Sequence, residues 1–143
     1  MPAPEPLRGW RVVARPEALD ALERAGAGTA LRLANDDLLL IGPGAAPAVD
    51  DGDAIVVADA GFVAWTLDAA ALRSLMEEHV DWELPGGRPV LVQGLVAAVP
   101  AKLWLEEDGT ARLICLAAYA PELQERVLQE RVLQDRVPEE RTG

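Results

Sequence analysis

The side chains that could carry catalysis are few in this chain of 143 residues. His79 is the sole histidine and Ser74 the sole serine, so a Ser-His-Asp triad would need both. They are five residues apart on one predicted helix, a spacing that places side chains on different faces. We therefore expect His79 to be a half-buried packing residue, and we assign no catalytic residue to this chain.

The chain lacks the residues that metal-binding and phosphate-binding sites require. Cys115 is the single cysteine and no CxxC is present, which disfavours a zinc site and predicts a buried, inert thiol. Asp50, Asp51 and Asp53 form an acidic run without the twelve-residue loop and closing Glu of a calcium site. The Gly-Pro-Gly at 42–44 lacks the Lys and Ser/Thr of a P-loop. We predict no metal-binding and no cofactor-binding residue on this chain.

Tryptophan is the residue type here that is most informative about binding, because it is enriched at protein interfaces. On the segment Lys102–Glu106, strand alternation places two leucines on the core side and Trp104 on the other side. Aliphatic neighbours such as Val99 would extend an apolar patch there. We predict that Trp104, Lys102 and Val99 border a partner interface.

The elements that position these residues follow an α+β pattern. Hairpins are predicted over 29–41 and 102–117, and their short polar turns can only join antiparallel strands. Helices are predicted over 16–25 and from the N-cap Asp68 to about residue 80, with a last helix opening at Pro121. The expected fold is a single compact α+β domain with an antiparallel sheet and two or three helices.

Further segments complete this outline. A first strand is predicted over 10–13, two strands over 54–58 and 61–67, and one long strand over 90–99. The predicted domain covers 10–134, between a flexible N-terminal arm at 1–9 and a flexible tail at 135–143. The sequence ERVLQ occurs at 125–129 and again at 130–134, and its five-residue period does not match a helix. The later copy should therefore drift away from the domain.

Charge and composition narrow the classes of partner. The formal net charge of −11 disfavours nucleic acid and anionic membrane surfaces. No apolar run approaches the roughly 20 residues of a membrane span, and the first residues lack the apolar region of a signal peptide. A lone cysteine fits a reducing compartment. We expect an acidic cytoplasmic protein that binds neither nucleic acid nor membranes.

The order of these elements carries a family resemblance over roughly residues 29–127. The segment 29–42, TALRLANDDLLLIG, resembles the x-Leu-x-Leu-x-x-Asp-x-x-Leu-Leu hairpin of the gamma subunit of heterotetrameric sarcosine oxidases. The segments 56–59 and 63–67 resemble that family's next strand pair, and 68–84 resembles its following helix. QGLVAAVPAKLW at 93–104 is similar to its Gln-x-Leu strand that ends in Leu-Trp.

The resemblance implies a non-catalytic accessory subunit of an oxidoreductase complex that acts on an amine or one-carbon substrate. That family shares its fold group with the glycine-cleavage aminomethyltransferase, and its flavin and folate chemistry lies on other subunits. It implies no cofactor on this chain, and partners that are other protein subunits, flavoproteins among them. Two alternatives stay open: a folate-binding protein of the same fold group, and a stand-alone protein-interaction module, including one that self-associates.

Overall fold

The computed structural model describes residues 3–127 and confirms the α+β class with an antiparallel sheet. The predicted tail at 135–143 and the second ERVLQ copy lie outside the described residues. The elements are β1 (Glu5–Val13), α1 (Pro16–Ala25), β2 (Thr29–Ala34), β3 (Asp37–Ile41), β4 (Ile55–Leu67), α2 (Ala69–His79), β5 (Val90–Val96), β6 (Val99–Leu105), β7 (Ala111–Leu116), a 3-10 turn (Ala117–Tyr119) and α3 (residues 120–127).

Contacts group the chain into two compact units within the stretch that was predicted as one domain. The N unit comprises Pro6–Phe62, and the C unit comprises the described residues 3–5 and 63–127. Strand β4 contributes its first part to the N unit and the remainder to the C unit. No helix within residues 3–127 is long and apolar enough to cross a membrane.

The N unit orders its strands β2-β3-β1-β4. Strand β3 pairs antiparallel with β1 and with β2, which confirms the predicted hairpin at 29–41. Helix α1 starts with Pro16 in its first turn and ends at Gly26, whose φ of 66° is the left-handed conformation favoured at helix ends. Leu19 of α1 packs with Val12 and Leu38 in the core of this unit.

The N-terminal segment was predicted to be a flexible arm over residues 1–9. This prediction is wrong from Glu5 onward. Strand β1 starts there, five residues before the predicted start at Trp10. Leu7 is buried, and Gly9 pairs with Ile41 of β3. A Cβ on Gly9 would lie 2.4 Å from the Leu40 carbonyl oxygen, so glycine allows this close pairing. Pairing with a distant strand thus orders a proline-rich segment whose own sequence predicts flexibility.

Strand β4 replaces the two strands predicted at 54–58 and 61–67. Asp59 lies in the gap between the two predicted strands, and its carboxylate accepts hydrogen bonds from the Gly61 amide (2.7 Å) and from Arg11 Nη1 (3.3 Å). The polar side chain is therefore satisfied within an extended strand, and no turn is required.

The C unit orders its strands β4-β7-β6-β5, with α2 and α3 in the same core. Helix α2 begins as predicted after Asp68, whose Oδ1 accepts a hydrogen bond of 2.7 Å from the Ala71 amide. The pairing of β6 with β7 confirms the predicted hairpin at 102–117. Trp65, Leu103 and Leu105 are among its buried core residues.

The predicted long strand at 90–99 is instead the arm of a hairpin. Strands β5 and β6 pair antiparallel from Val90↔Leu105 to Val96↔Val99, and a turn at Ala97 (φ 48°) and Ala98 (φ 65°) joins them. Two positive φ values in a two-residue loop define a type I′ turn, which usually contains Asn-Gly. The Ala97 amide donates to the His79 carbonyl oxygen (2.8 Å), and Arg126 Nη1 donates to the Ala97 carbonyl oxygen (2.5 Å). These two bonds hold a turn for which the sequence carries no local signal.

Candidate protein-interaction face

Strands β5, β6 and β7 share a side that is exposed to solvent except at Ile114, which is 1% exposed, and their registers arrange its residues in three rows. Cross-strand partners share a face of the sheet, and every second residue along a strand lies on that same face. Extending the β6–β7 register by one further pair places Leu116 opposite Pro100. We call this side the outer face; its rows are Leu91–Trp104–Arg112, Gln93–Lys102–Ile114 and Leu95–Pro100–Leu116.

Trp104 lies where the alternation predicted. Its neighbours Leu103 and Leu105 are buried in the core, whereas Trp104 is half-buried on the outer face. Leu91 of β5 and Arg112 of β7 flank it across the sheet. A half-buried indole between an aliphatic and a cationic side chain is a typical anchor for a partner. Its role at an interface stays a prediction.

Lys102 occupies the middle row of the outer face. Its Nζ donates a 2.7 Å hydrogen bond to Gln93 Oε1 on the neighbouring strand. Arg112 contributes a second cation one row away. The outer face thus combines apolar rows with two positive charges, although the whole chain has a formal net charge of −11.

Val99 does not belong to the outer face, and its assignment to the partner interface is wrong. Its side chain is only 2% exposed and lies in the core of the C unit. Val99 shares the alternation of Leu103 and Leu105, so it points to the opposite side from Trp104.

The row Leu95–Pro100–Leu116 is a feature that sequence reasoning missed. Leu95 is 56% exposed and Leu116 is 43% exposed, and Pro100 between them is also exposed. Strand alternation alone could have predicted that Leu116 points to the opposite side of the sheet from Cys115. Only the register across both hairpins brings the three residues into one apolar row.

Ser74 and His79 both line one small cleft that is open to solvent, a proximity that their spacing did not predict. The walls are otherwise mainly aliphatic. The His79 side chain is 5% exposed, which is more buried than the half-buried packing residue that was predicted, whereas Ser74 is exposed. His79 Nε2 lies 3.7 Å from Glu78 Oε2, which is beyond hydrogen-bonding distance. This geometry does not assemble the hydrogen-bonded relay of a triad.

The remaining candidates have structural roles. Burial raises the pKa of the Cys115 thiol to about 11, and the side chain is 1% exposed, so it is protonated at neutral pH. The Asp51 carboxylate accepts hydrogen bonds from the amides of Arg15 and Asp53, both at 2.9 Å, and these lower its pKa. Within residues 3–127, no group of His, Cys, Asp and Glu is arranged to hold a metal ion.

Comparisons with known proteins found no match to this chain. No family model matches the chain, and neither a curated protein nor a solved structure matches it. Any functional argument therefore depends on the residues themselves, and the outer face combines exposed apolar residues with a half-buried tryptophan.

Proposed function

We propose that this chain is a non-catalytic accessory subunit that binds another protein subunit through its outer face. The observation that carries the proposal is the exposed row Leu95–Pro100–Leu116, which lies two rows from Trp104 on the same side of one sheet. Contiguous exposed apolar residues of this kind are typical of protein-binding sites. A tryptophan within such a patch often supplies a large share of the binding energy.

The charges on the outer face favour a partner of a particular chemistry. Lys102 and Arg112 lie among its apolar rows. Glu106, which continues the alternation beyond Trp104, accepts a 3.0 Å hydrogen bond from Thr110 Oγ1 within its own turn. A partner surface with an apolar ridge and nearby carboxylates would complement this face, because opposite charges steer and orient association.

The resemblance to the sarcosine oxidase gamma subunit supports a more specific form of the proposal. In that form, the partner is a flavoprotein of an oxidoreductase complex that acts on an amine or one-carbon substrate. The complex works in the cytoplasm, where a single buried thiol such as Cys115 stays reduced. This chain then contributes binding surface, and the redox chemistry takes place on the partner.

The experiment is purification of the tagged full chain from its native organism. We expect a flavoprotein to co-purify in a fixed molar ratio, detected by protein mass spectrometry and by flavin absorbance. Leu95→Glu and Trp104→Ala should each reduce its recovery about tenfold or more, since truncation of an interface anchor often costs over 2 kcal/mol. Ala70→Glu adds the same charge at an exposed position of α2 and should change nothing.

Three results would overturn the proposal. Recovery of no flavoprotein with the unaltered chain would exclude the oxidoreductase form. Equal recovery with Leu95→Glu and Ala70→Glu would exclude the outer face as the binding site. Saturable binding of tetrahydrofolate to the purified chain would favour the folate-binding alternative. Circular-dichroism melting of each variant checks that it is folded.

A further inference from the structure

A second exposed apolar patch lies in the N unit, on strands β1 and β4. Arg11 Nη1 and Asp59 Oδ2 are 3.3 Å apart, so these two side chains share one face of the sheet. Val13 is two residues beyond Arg11, and Val57 is two residues before Asp59, so both lie on that face. Strands β1 and β4 are neighbours in the antiparallel sheet, so these two steps run in the same direction across the sheet and bring Val13 and Val57 near each other.

The apolar side chains of this patch are well exposed. Ile55 is 58% exposed, Val57 50% and Val13 36%. By contrast, Val12 and Leu38 on the other face of the same unit are buried in a core with α1. We call Val13, Ile55 and Val57 the β4 patch; β-branched side chains of this kind form a stiff apolar surface with little rotamer freedom to lose on binding.

Carboxylates surround the β4 patch. Asp37 pairs across the strands with Val13, and the exposed Asp36 lies beside β1, where its carbonyl oxygen accepts from the Ala14 amide (3.1 Å). Asp53 is exposed two residues before Ile55. The nearby cations are already paired: Arg11 binds Asp37 and Asp59, and the Arg15 guanidinium lies 3.5 Å from Asp50. The charge around the patch is therefore negative, opposite in sign to the cations of the outer face.

We infer that the β4 patch is a second docking surface, and that its occupant is a protein segment that presents aliphatic side chains between lysines or arginines. Charge complementarity selects this occupant, since an acidic rim favours cations and repels the carboxylates that suit the outer face. The inference goes beyond the proposed function, which concerns the outer face alone. The chain would thus recognise two proteins of opposite charge.

The test uses two synthetic peptides of equal length, one alternating leucine with lysine and the other alternating leucine with glutamate. Each is titrated into the full chain by isothermal calorimetry. The double variant Ile55→Ser/Val57→Ser should weaken binding of the lysine peptide about tenfold, the scale expected when anchors are truncated. Leu95→Ser should leave it unchanged, although Leu95 and Ile55 are similarly exposed (56% and 58%).

The glutamate peptide separates this inference from the proposed function. Leu95→Ser should weaken binding of that peptide, and the double variant should not. If only this arm fails, the outer face is refuted and the β4 patch stands. Equal binding of the lysine peptide to the unaltered chain and to the double variant would show mere attraction to net charge and would overturn the inference. If the double variant is unfolded, Asp36→Lys/Asp53→Lys replaces it and must also weaken binding.

Discussion

The N unit joins distant parts of its chain largely through arginine. Arg11 Nη2 donates to Asp37 at 2.7 Å, and the same guanidinium reaches Asp59 on another strand. Arg32 connects β2 to α1 through Asp20 at 3.0 Å. These residues are separated by 12 to 48 positions in sequence. The unit pairs a small aliphatic core with charged contacts that are partly exposed to water.

The C unit relies on packing and on ties to the backbone. Its core combines Trp65 and Leu103 with residues of both helices. Trp82 Nε1 donates to the Leu95 carbonyl oxygen (3.1 Å), and Arg126 anchors the turn at Ala97. We therefore expect salt and pH to change mainly the stability of the N unit. Changes of side-chain volume should change mainly the stability of the C unit.

The largest expected effect is that of Leu103→Ala, which would test the packing half of this contrast. Leu103 is fully buried at the centre of β6, so removal of its side chain leaves a cavity. We expect a loss of about 2–5 kcal/mol in the free energy of unfolding, measured by urea denaturation. The control is Leu95→Ala in the same hairpin, which should cost far less. Similar losses for the two variants would contradict a packing-dominated unit.

The next largest effect is expected for Gly94→Ala on the edge strand β5. A Cβ there would lie 2.7 Å from Trp82 Nε1 and 2.8 Å from its Cε2, so the indole must move and its bond to Leu95 weakens. We expect a loss of about 1–3 kcal/mol, the usual cost of overpacking. Gly86→Ala is the matched control, because nothing lies within 4 Å of its added carbon. A Gly94→Ala chain as stable as the control would disprove the tight contact.

Arg11→Ala addresses the charged half of the contrast and should have an intermediate effect. The hydrogen bond to Asp37 is the main cause of the raised pKa of Arg11, so the guanidinium stays charged and its loss leaves two carboxylates unpaired. We expect a loss of about 1–2 kcal/mol, between the values for exposed and buried pairs. Arg11→Lys keeps the charge without the two-pronged geometry and should cost less. The difference should shrink in high salt, and an unchanged difference would argue against an electrostatic origin.

The smallest expected effect is on the stability of the protein at acid pH. Hydrogen bonds from the amides of Arg15 and Asp53 hold the pKa of Asp51 below its ordinary value. A depressed carboxyl pKa gives stability above the unfolded-state pKa, and this stability is lost as the pH falls through the folded-state pKa. Asp51→Asn should therefore flatten the acid side of the stability profile below about pH 4. Asp50→Asn, at an almost fully exposed carboxylate, should leave the profile unchanged; an equal change in both would contradict the assignment.

Local signals in the sequence predicted much of the fold. Gly26 ends α1 in the left-handed conformation, Asp68 caps α2, and Gly109 takes a φ of 89° in the β6–β7 turn. Each of these residues has a strong conformational or hydrogen-bonding preference of its own, so its neighbours hardly matter. The antiparallel class followed from the short polar turns of the hairpins predicted at 29–41 and 102–117.

Long-range contacts account for what the sequence did not predict. Ala97 and Ala98 form a tight turn because His79 and Arg126 bind it from elsewhere in the unit. The position of Trp104 followed from alternation within one strand, whereas the row that contains Leu95 and Leu116 depends on the register of two hairpins. A register of this kind is set by the whole sheet and not by a single segment.

The buried cysteine allows the opening kinetics of the C unit to be measured separately from those of the N unit. Cys115 is the sole thiol of the chain and lies in the core of that unit. Because the side chain is 1% exposed and burial raises its pKa to about 11, an alkylating reagent reacts with it mainly in molecules whose C unit has transiently opened. The labelling rate would therefore act as a clock for the opening of one unit, without any engineered reporter. Transient opening confined to the N unit would leave that clock unchanged.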